Sequence, residues 1–279
     1  MEIIPAMQAE IPAINCITDR RLDMVSKYLY LKEYSEKGSL KASSFIYKVY
    51  KSQIDALTNG TYTEPNTPSK NSIARFTGAF EKLFDSIREK GFRCDGELLT
   101  FGKDHVPGDG AHRLSAAAFL GLKVSVDERE GNGVLCDIPL LERQYIRRQY
   151  INFLIANLLR LRDSYRLLRY DAGGGKAACK RLRKGTAKKD LVYLTALGKE
   201  VIGVIRAERE IPQGFTEIKA GTEEYAEILS RLEYAKDGPL TAFLREFMRA
   251  TDRKLFRIKP FFRKHFPGIY GFLRKKKRG

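Results

Sequence analysis

Five consecutive residues, Asp109-Gly110-Ala111-His112-Arg113, bring together the groups that a phosphate site needs. Leu98, Leu99 and Phe101 ahead of them read as a strand. Leu114, Ala116, Ala117, Ala118, Phe119 and Leu120 behind them read as a short helix, closed by Gly121, and Lys123-Val124-Ser125-Val126 resumes as a strand. The first N–H groups of a helix lack acceptors within it and so attract anions. An Arg at that point adds planar donors that match phosphate. Gly110, Ala111, His112 and Arg113 are therefore expected to hold a phosphate, and His112 is also a catalytic candidate. The Asp109 carboxylate either caps the helix or helps to hold a divalent cation.

A second group of charged residues lies early in the chain. Arg21 and Lys27 are candidates for binding substrate or phosphate, and Asp23 is a candidate general base on an acceptor hydroxyl. The alternative for this group is a surface ion pair. Glu33 is a weaker base candidate, while Asp104 and His105 suit a loop role ahead of the turn. Gly173-Gly174-Gly175-Lys176 has the look of a phosphate loop but fails its spacing, because Ala177 stands where Ser or Thr is required. Cys16, Cys94, Cys136 and Cys179 show no CxxC spacing, and with three scattered histidines they form no recognisable zinc pattern. Reduced structural thiols are the expectation.

The elements that position these groups divide the chain in three: 1–133, 134–250 and 251–279. In the first, strands are expected around Ala13–Ile17 and Tyr28–Leu31, and helices over Ser44–Leu57 and Ser72–Lys90. Phe76, Phe80, Leu83, Phe84 and Ile87 form a core-facing stripe on the latter. In the second, a long helical pattern starts at Pro139 and carries Ile151, Leu154, Ile155, Leu158, Leu161, Tyr165 and Leu168 on one face. Residues 171–190 read as an exposed connection. The runs Leu191–Leu194 and Val201–Ile205 suggest a smaller α/β or helical unit, followed by helices over Glu223–Leu232 and Pro239–Phe256. The fold class expected is α+β, with a mostly helical C-terminal region.

Of the +17 net charge, +10 falls between Thr251 and Gly279, where eleven Lys or Arg residues meet a single acid, Asp252. So local a cluster suits an anionic surface. Phe261, Phe262, Arg263, Lys264, Lys275, Lys276, Lys277 and Arg278 are the residues expected to meet a membrane, since aromatics beside a polybasic run suit a lipid interface. Nucleic acid is the second choice of partner. Pro260 and Pro267 are expected to divide this tail into short amphipathic pieces. No signal peptide is read at the N-terminus and no apolar run approaches the roughly 20 residues of a membrane span, so a cytoplasmic protein on the inner membrane face is expected.

Phe76 to Asp127 resembles the ParB/sulfiredoxin superfamily. The likeness rests on the Ser86-Ile87 pair, the strand, the glycine turn ending in His112-Arg113, and the Ser115-Ala116-Ala117 helix. It implies a nucleotide-phosphate site at Gly110–Arg113. Ala111 stands where sulfiredoxins carry cysteine, which argues against their reaction. Arg21, Asp23, Lys27, Tyr28 and Tyr30, with Lys70, Phe76, Phe80, Ser86, Ile87, Gly91 and Phe92, are further similar to ParB-like proteins of bacterial capsule and lipopolysaccharide gene regions. That likeness implies an ATP- and Mg²⁺-dependent phosphotransferase acting on a sugar or lipid-linked glycan intermediate of cell-surface polysaccharide synthesis. The alternatives are a nucleotide-responsive DNA-binding protein and a non-catalytic adaptor in a glycan assembly complex.

Overall fold

The structure is a computed structural model that describes residues 9–63, 71–92, 99–172, 174–184 and 191–265, with side chains of the last helix described through Asp252. The chain is a mixed α+β fold. Strand β1 (Ala9–Pro12) leads through a 3-10 turn (Ala13–Cys16) into helices α1 (Leu22–Lys37), α2 (Phe45–Leu57) and α3 (Ile73–Lys90). Strand β2 (Leu99–Gly102), helix α4 (Ala111–Phe119) and strand β3 (Lys123–Arg129) follow. The sheet order is β1-β3-β2, with β3 antiparallel to β1 and parallel to β2. A parallel pair needs a crossover, and α4 supplies it. This puts the loop between β2 and α4 at the carboxyl end of a strand, where α/β units present their sites.

The strand expected at Tyr28–Leu31 is instead part of α1, and that at Ala13–Ile17 is largely the 3-10 turn. Short apolar runs do not separate the two periods, and the burial of Leu22, Val25, Tyr30 and Leu31 on one helix decides the case. The α2, α3, β2 and β3 segments fall where the pattern places them. Leu98, Lys70 and Cys94 lie outside the described residues.

The second half departs further from its pattern. The long helix expected from Pro139 is two helices, α5 (Ile138–Arg143) and α6 (Arg148–Leu161), and then a strand, β4 (Tyr165–Tyr170). Tyr145 at φ 55° separates the helices. Leu167 and Leu168 are both fully buried, on opposite faces of the sheet, and that two-sided burial replaces the helical stripe. Helix α7 (Gly175–Leu182) occupies part of the supposed connection. Strands β5 (Leu191–Leu197), β6 (Glu200–Arg206) and β7 (Phe215–Ile218) complete an antiparallel sheet of order β5-β6-β4-β7. The region is thus helical around a four-stranded sheet, rather than mostly helical. Helix α8 (Glu223–Tyr234) packs on α6, and α9 (Pro239–His265) runs unbroken through Pro260. Pro260 has no N–H to give to Phe256 O, so the helix continues past it without that one backbone bond.

One hydrophobic core runs from Ala13 through α6 to Ile218 and Leu232, so both halves share it. A smaller cluster, with Leu168, Ala178, Cys179 and Phe215, fills the far side of the second sheet. Cys16, Cys136 and Cys179 are buried and free.

Candidate functional site

Gly110 is the N-cap of α4 and sits in the left-handed region at φ 73°. A Cβ there would lie 2.4 Å from Leu99 Cδ2, so both the turn and the packing demand glycine. The same hypothetical Cβ would be 3.4 Å from Arg113 Nε, which places the guanidinium directly over the turn. Leu114 N is the first amide to bond back to Gly110 O, at 2.8 Å. The N–H groups of Ala111 and Arg113 therefore belong to the opening turn, where helices have no internal acceptors. Asp109 Oδ1 accepts the Gly110 N–H, and Oδ2 stands 4.0 Å from Arg113. Its side chain is 80% exposed, so the turn combines two helix-start amides, a guanidinium and an open carboxylate.

Behind the turn lies a buried charge triad. Arg21 Nε and Nη2 donate to the two Asp23 oxygens at 2.9 and 3.0 Å, and Lys27 Nζ adds a third bond at 2.6 Å. Arg21, Asp23 and Lys27 are 3%, 1% and 2% exposed. Burial alone would raise the Asp23 pKa, but the two cations outweigh it and hold the carboxyl far below its usual range. The surface ion pair is thus a buried one. Arg21 and Lys27 have no face toward an external phosphate, and Asp23, with both oxygens engaged, has none toward an acceptor hydroxyl. Their work is internal: Arg21 Nη1 donates to Pro107 O at 2.6 Å and so fixes the loop that delivers Gly110.

His112 is corrected in the same sense. Its ring leaves the turn and packs edge-on against Phe80, centroids 4.7 Å apart, with the Tyr50 hydroxyl 2.9 Å from Nε2. Tyr50 stacks on Phe80 and tilts against Tyr30. The imidazole clamps α4 to α2 and α3. Glu33 is taken up by Lys37 and Ser44, which donate to its two oxygens.

Sequence reasoning missed the scaffold that carries this loop. Asp104 Oδ1 accepts the Val106 and Gly133 amides, while Arg20 donates to Asp104 Oδ2 at 2.6 Å. A Cβ on Gly133 would lie 2.0 Å from Val106 O, so the 104–107 and 132–133 segments touch through backbone. Asp19 is held from the second sheet, by Arg206 at 2.9 Å and by the Tyr165 hydroxyl at 2.8 Å. The run Asp19–Asp23 thus ties the C-terminal sheet to the loop that leads into the Gly110 turn. An acid or base at nearly every position of Asp19-Arg20-Arg21-Leu22-Asp23 was the available signal, but the partners outside the run that Asp19, Arg20 and Arg21 take are about 80 to 190 residues away.

Among the described residues no three His, Cys, Asp or Glu side chains converge on one point. The turn therefore offers Asp109 as a single carboxylate. That suits a Mg²⁺ ion arriving on nucleotide phosphates, because Mg²⁺ commonly takes one or two carboxylates plus phosphate oxygens.

The C-terminal helix presents its apolar side outward. Leu240, Phe243 and Phe247 are 71%, 63% and 58% exposed, and Leu244 and Met248 are exposed beside them. Its arginines turn inward: Arg245 donates to Ile146 O at 2.6 Å, and Arg249 to Ser52 O at 2.8 Å and Asp55 at 3.1 Å. Phe261, Phe262, Arg263 and Lys264 continue this helix, but their side chains are outside those described. Lys275, Lys276, Lys277 and Arg278 lie outside the described residues. Among the described residues no helix is long and apolar enough to cross a membrane.

Comparisons of the chain with protein-family models, with curated proteins and with solved structures find no match.

Proposed function

We propose that the chain is a nucleotide-dependent phosphotransferase whose phosphate cradle is the opening turn of α4. The observation that carries this reading is Gly110, held left-handed against Leu99 beneath the Arg113 guanidinium. Helix-start amides and a guanidinium suit the spread negative charge of a transferring phosphoryl group. ATP would supply that group, and a bound Mg²⁺ would supply positive charge to offset the charge developing in transfer. Asp109 is the carboxylate open to such an ion. The buried triad keeps the loop in place and takes no part in proton transfer.

The acceptor in this reading is a sugar or lipid-linked glycan intermediate, reached by a protein resting on the inner face of a membrane. The outward apolar stripe of α9 supports the membrane part. An exposed row of Leu, Phe and Met in continuity with a polybasic tail suits lipid better than a phosphate backbone, which offers those apolar residues no matching surface. Full-length protein with Mg²⁺ and either ATP or CTP, followed by ADP or CDP release with and without duplex DNA, tests the reading. Slow ADP release without DNA is the expected result. Turnover confined to CTP plus DNA would establish a clamp instead, and failure to bind any nucleotide would leave an adaptor.

A further inference from the structure

A second concentration of basic residues lies in the C-terminal half. Helix α7 begins where Gly175 packs against the β5–β6 turn: a Cβ there would be 2.7 Å from Gly198 O, and Gly175 N donates to Lys199 O at 2.8 Å. Ala178 and Cys179 are buried against the sheet. That fixes the helix rotation. Lys176 and Lys180, one turn apart, and Arg183 and Lys184 a turn later are set on one side. All four line a cavity of about 540 Å³.

The opposing wall is also basic. Arg148 from α6 and Arg245 from α9 face the same space, with Lys236 at the α8–α9 connection. The arginines are braced: Arg148 by Glu142 at 2.7 Å, Arg183 by Leu194 O, and Arg245 by Ile146 O. Among the described residues none of the four lysines has an acidic partner within salt-bridge distance. Seven cations thus share a concave space with one lining carboxylate, Asp237. Gathering like charges in a cleft is unfavourable without an anion, and such a cleft concentrates anions from solution.

Two further features give the cavity a polar floor and a second preference. Asn152 and Thr195 are 3% and 2% exposed on its lining. The Tyr193 hydroxyl donates to Asn152 Oδ1, leaving Nδ2 as that side chain's remaining donor. Asp237 Oδ2 is buried with no hydrogen-bond partner among the described residues. A buried carboxylate oxygen in a basic cavity is an acceptor waiting for a neutral donor such as a hydroxyl.

We propose that this cavity is a second ligand site that binds a small phosphorylated molecule bearing free hydroxyl groups, of the sugar-phosphate class. Its volume falls in the range of small-molecule pockets, roughly 300–1,000 Å³. The lysines and arginines take the phosphate, and Asp237 takes a hydroxyl. None of the lining residues belongs to the Gly110 turn, so the site stands whether or not that turn binds nucleotide.

Calorimetric titration of full-length Arg113→Ala with inorganic pyrophosphate and with glucose 1-phosphate tests the proposal, since this background removes the turn's guanidinium. Both probes are expected to bind, and adding Lys176→Glu and Lys180→Glu is expected to weaken both by about tenfold or more. These lysines are exposed and have no acidic partner among the described residues, so the fold is expected to keep its melting temperature. Adding Asp237→Asn instead is expected to weaken glucose 1-phosphate while leaving pyrophosphate within a few-fold. Pyrophosphate binding that is absent in Arg113→Ala, or unchanged by the lysine substitutions, overturns the proposal. So does a loss of binding confined to vesicles of anionic lipid or to duplex DNA at about 0.15 M salt, with neither small probe affected. Equal loss of both small probes in Asp237→Asn overturns the hydroxyl assignment.

Discussion

Replacing Asp23 by Asn removes the only anion from a triad in which Arg21 and Lys27 are 3% and 2% exposed. Breaking a buried ion pair by removing one partner costs about 3–5 kcal/mol, because the remaining charge has neither water nor counter-ion. Here two cations are stranded, and Asn returns one amide oxygen as partial compensation, so about 4 kcal/mol is the working figure. At roughly 2–4 °C per kcal/mol for a chain of this size, the melting temperature should fall by about 10 °C. The loss should also depend on pH. The folded Asp23 carboxyl titrates below its ordinary value, so the unfolded chain takes up the proton first. The contribution is complete above the ordinary carboxylate range and declines as pH falls through and below it. Urea unfolding of parent and variant from about pH 7 to about pH 3 should therefore show a gap that narrows toward acid. A gap below about 1 kcal/mol at neutral pH, or one that does not change with pH, refutes the reasoning. A parent-like melting temperature with lost phosphoryl transfer would return Asp23 to catalysis. Joint replacement by Arg21→Met, Asp23→Leu and Lys27→Met is the complementary case. Stability should recover to near the parent, since apolar residues often replace a buried ion network at little cost. Nucleotide affinity should not recover, because Pro107 O loses its Arg21 donor.

Gly110→Ala forces a Cβ to 2.4 Å from Leu99 at φ 73° and should cost about 1–3 kcal/mol in urea unfolding while weakening nucleotide binding; parental values in both assays would sink the turn geometry. The Cys16 thiol is pushed up to about 12 by burial, against the pull of Arg162 and Arg21, so maleimide at about pH 8 should label it only after denaturation; prompt labelling of folded protein would contradict its burial. Phe243→Ser with Phe247→Ser should abolish co-sedimentation with anionic vesicles and leave the melting temperature unchanged, since both rings are exposed; retained sedimentation would remove the stripe from the membrane surface.

The strand–turn–helix–strand order around Gly110 was legible because its signals are local. A strand, a glycine, a basic residue and a small-residue helix follow one another within about twenty positions, and each element forms where its residues place it. The α3 stripe was legible for the same reason, since Phe76, Phe80, Phe84 and Ile87 repeat at the helical period and are buried together. The roles of His112, Arg21, Asp23 and Lys27 were not legible. Their types fit catalysis equally well, and only burial by α2, α3 and the 104–107 loop assigns them to packing and bracing. Tyr165–Leu168 read as helix because the residues continue the α6 spacing. What makes them a strand is pairing with β6 and β7, some 35 to 51 residues later. Pro260 marked a helix end by its own chemistry, yet α9 continues for five residues past it.

The most direct test of the nucleotide reading is calorimetric titration of Mg²⁺ and ATP into protein carrying Lys176→Glu and Lys180→Glu, with and without Arg113→Ala. The two glutamates weaken the basic cavity, so a change in affinity on Arg113→Ala reports on the α4 turn. Loss of the Arg113 guanidinium removes a charge-assisted contact of about 1.5–3 kcal/mol, and the affinity should fall by roughly tenfold to a hundredfold. Equal affinity in the two folded proteins would mean that the turn at Gly110 does not hold the nucleotide.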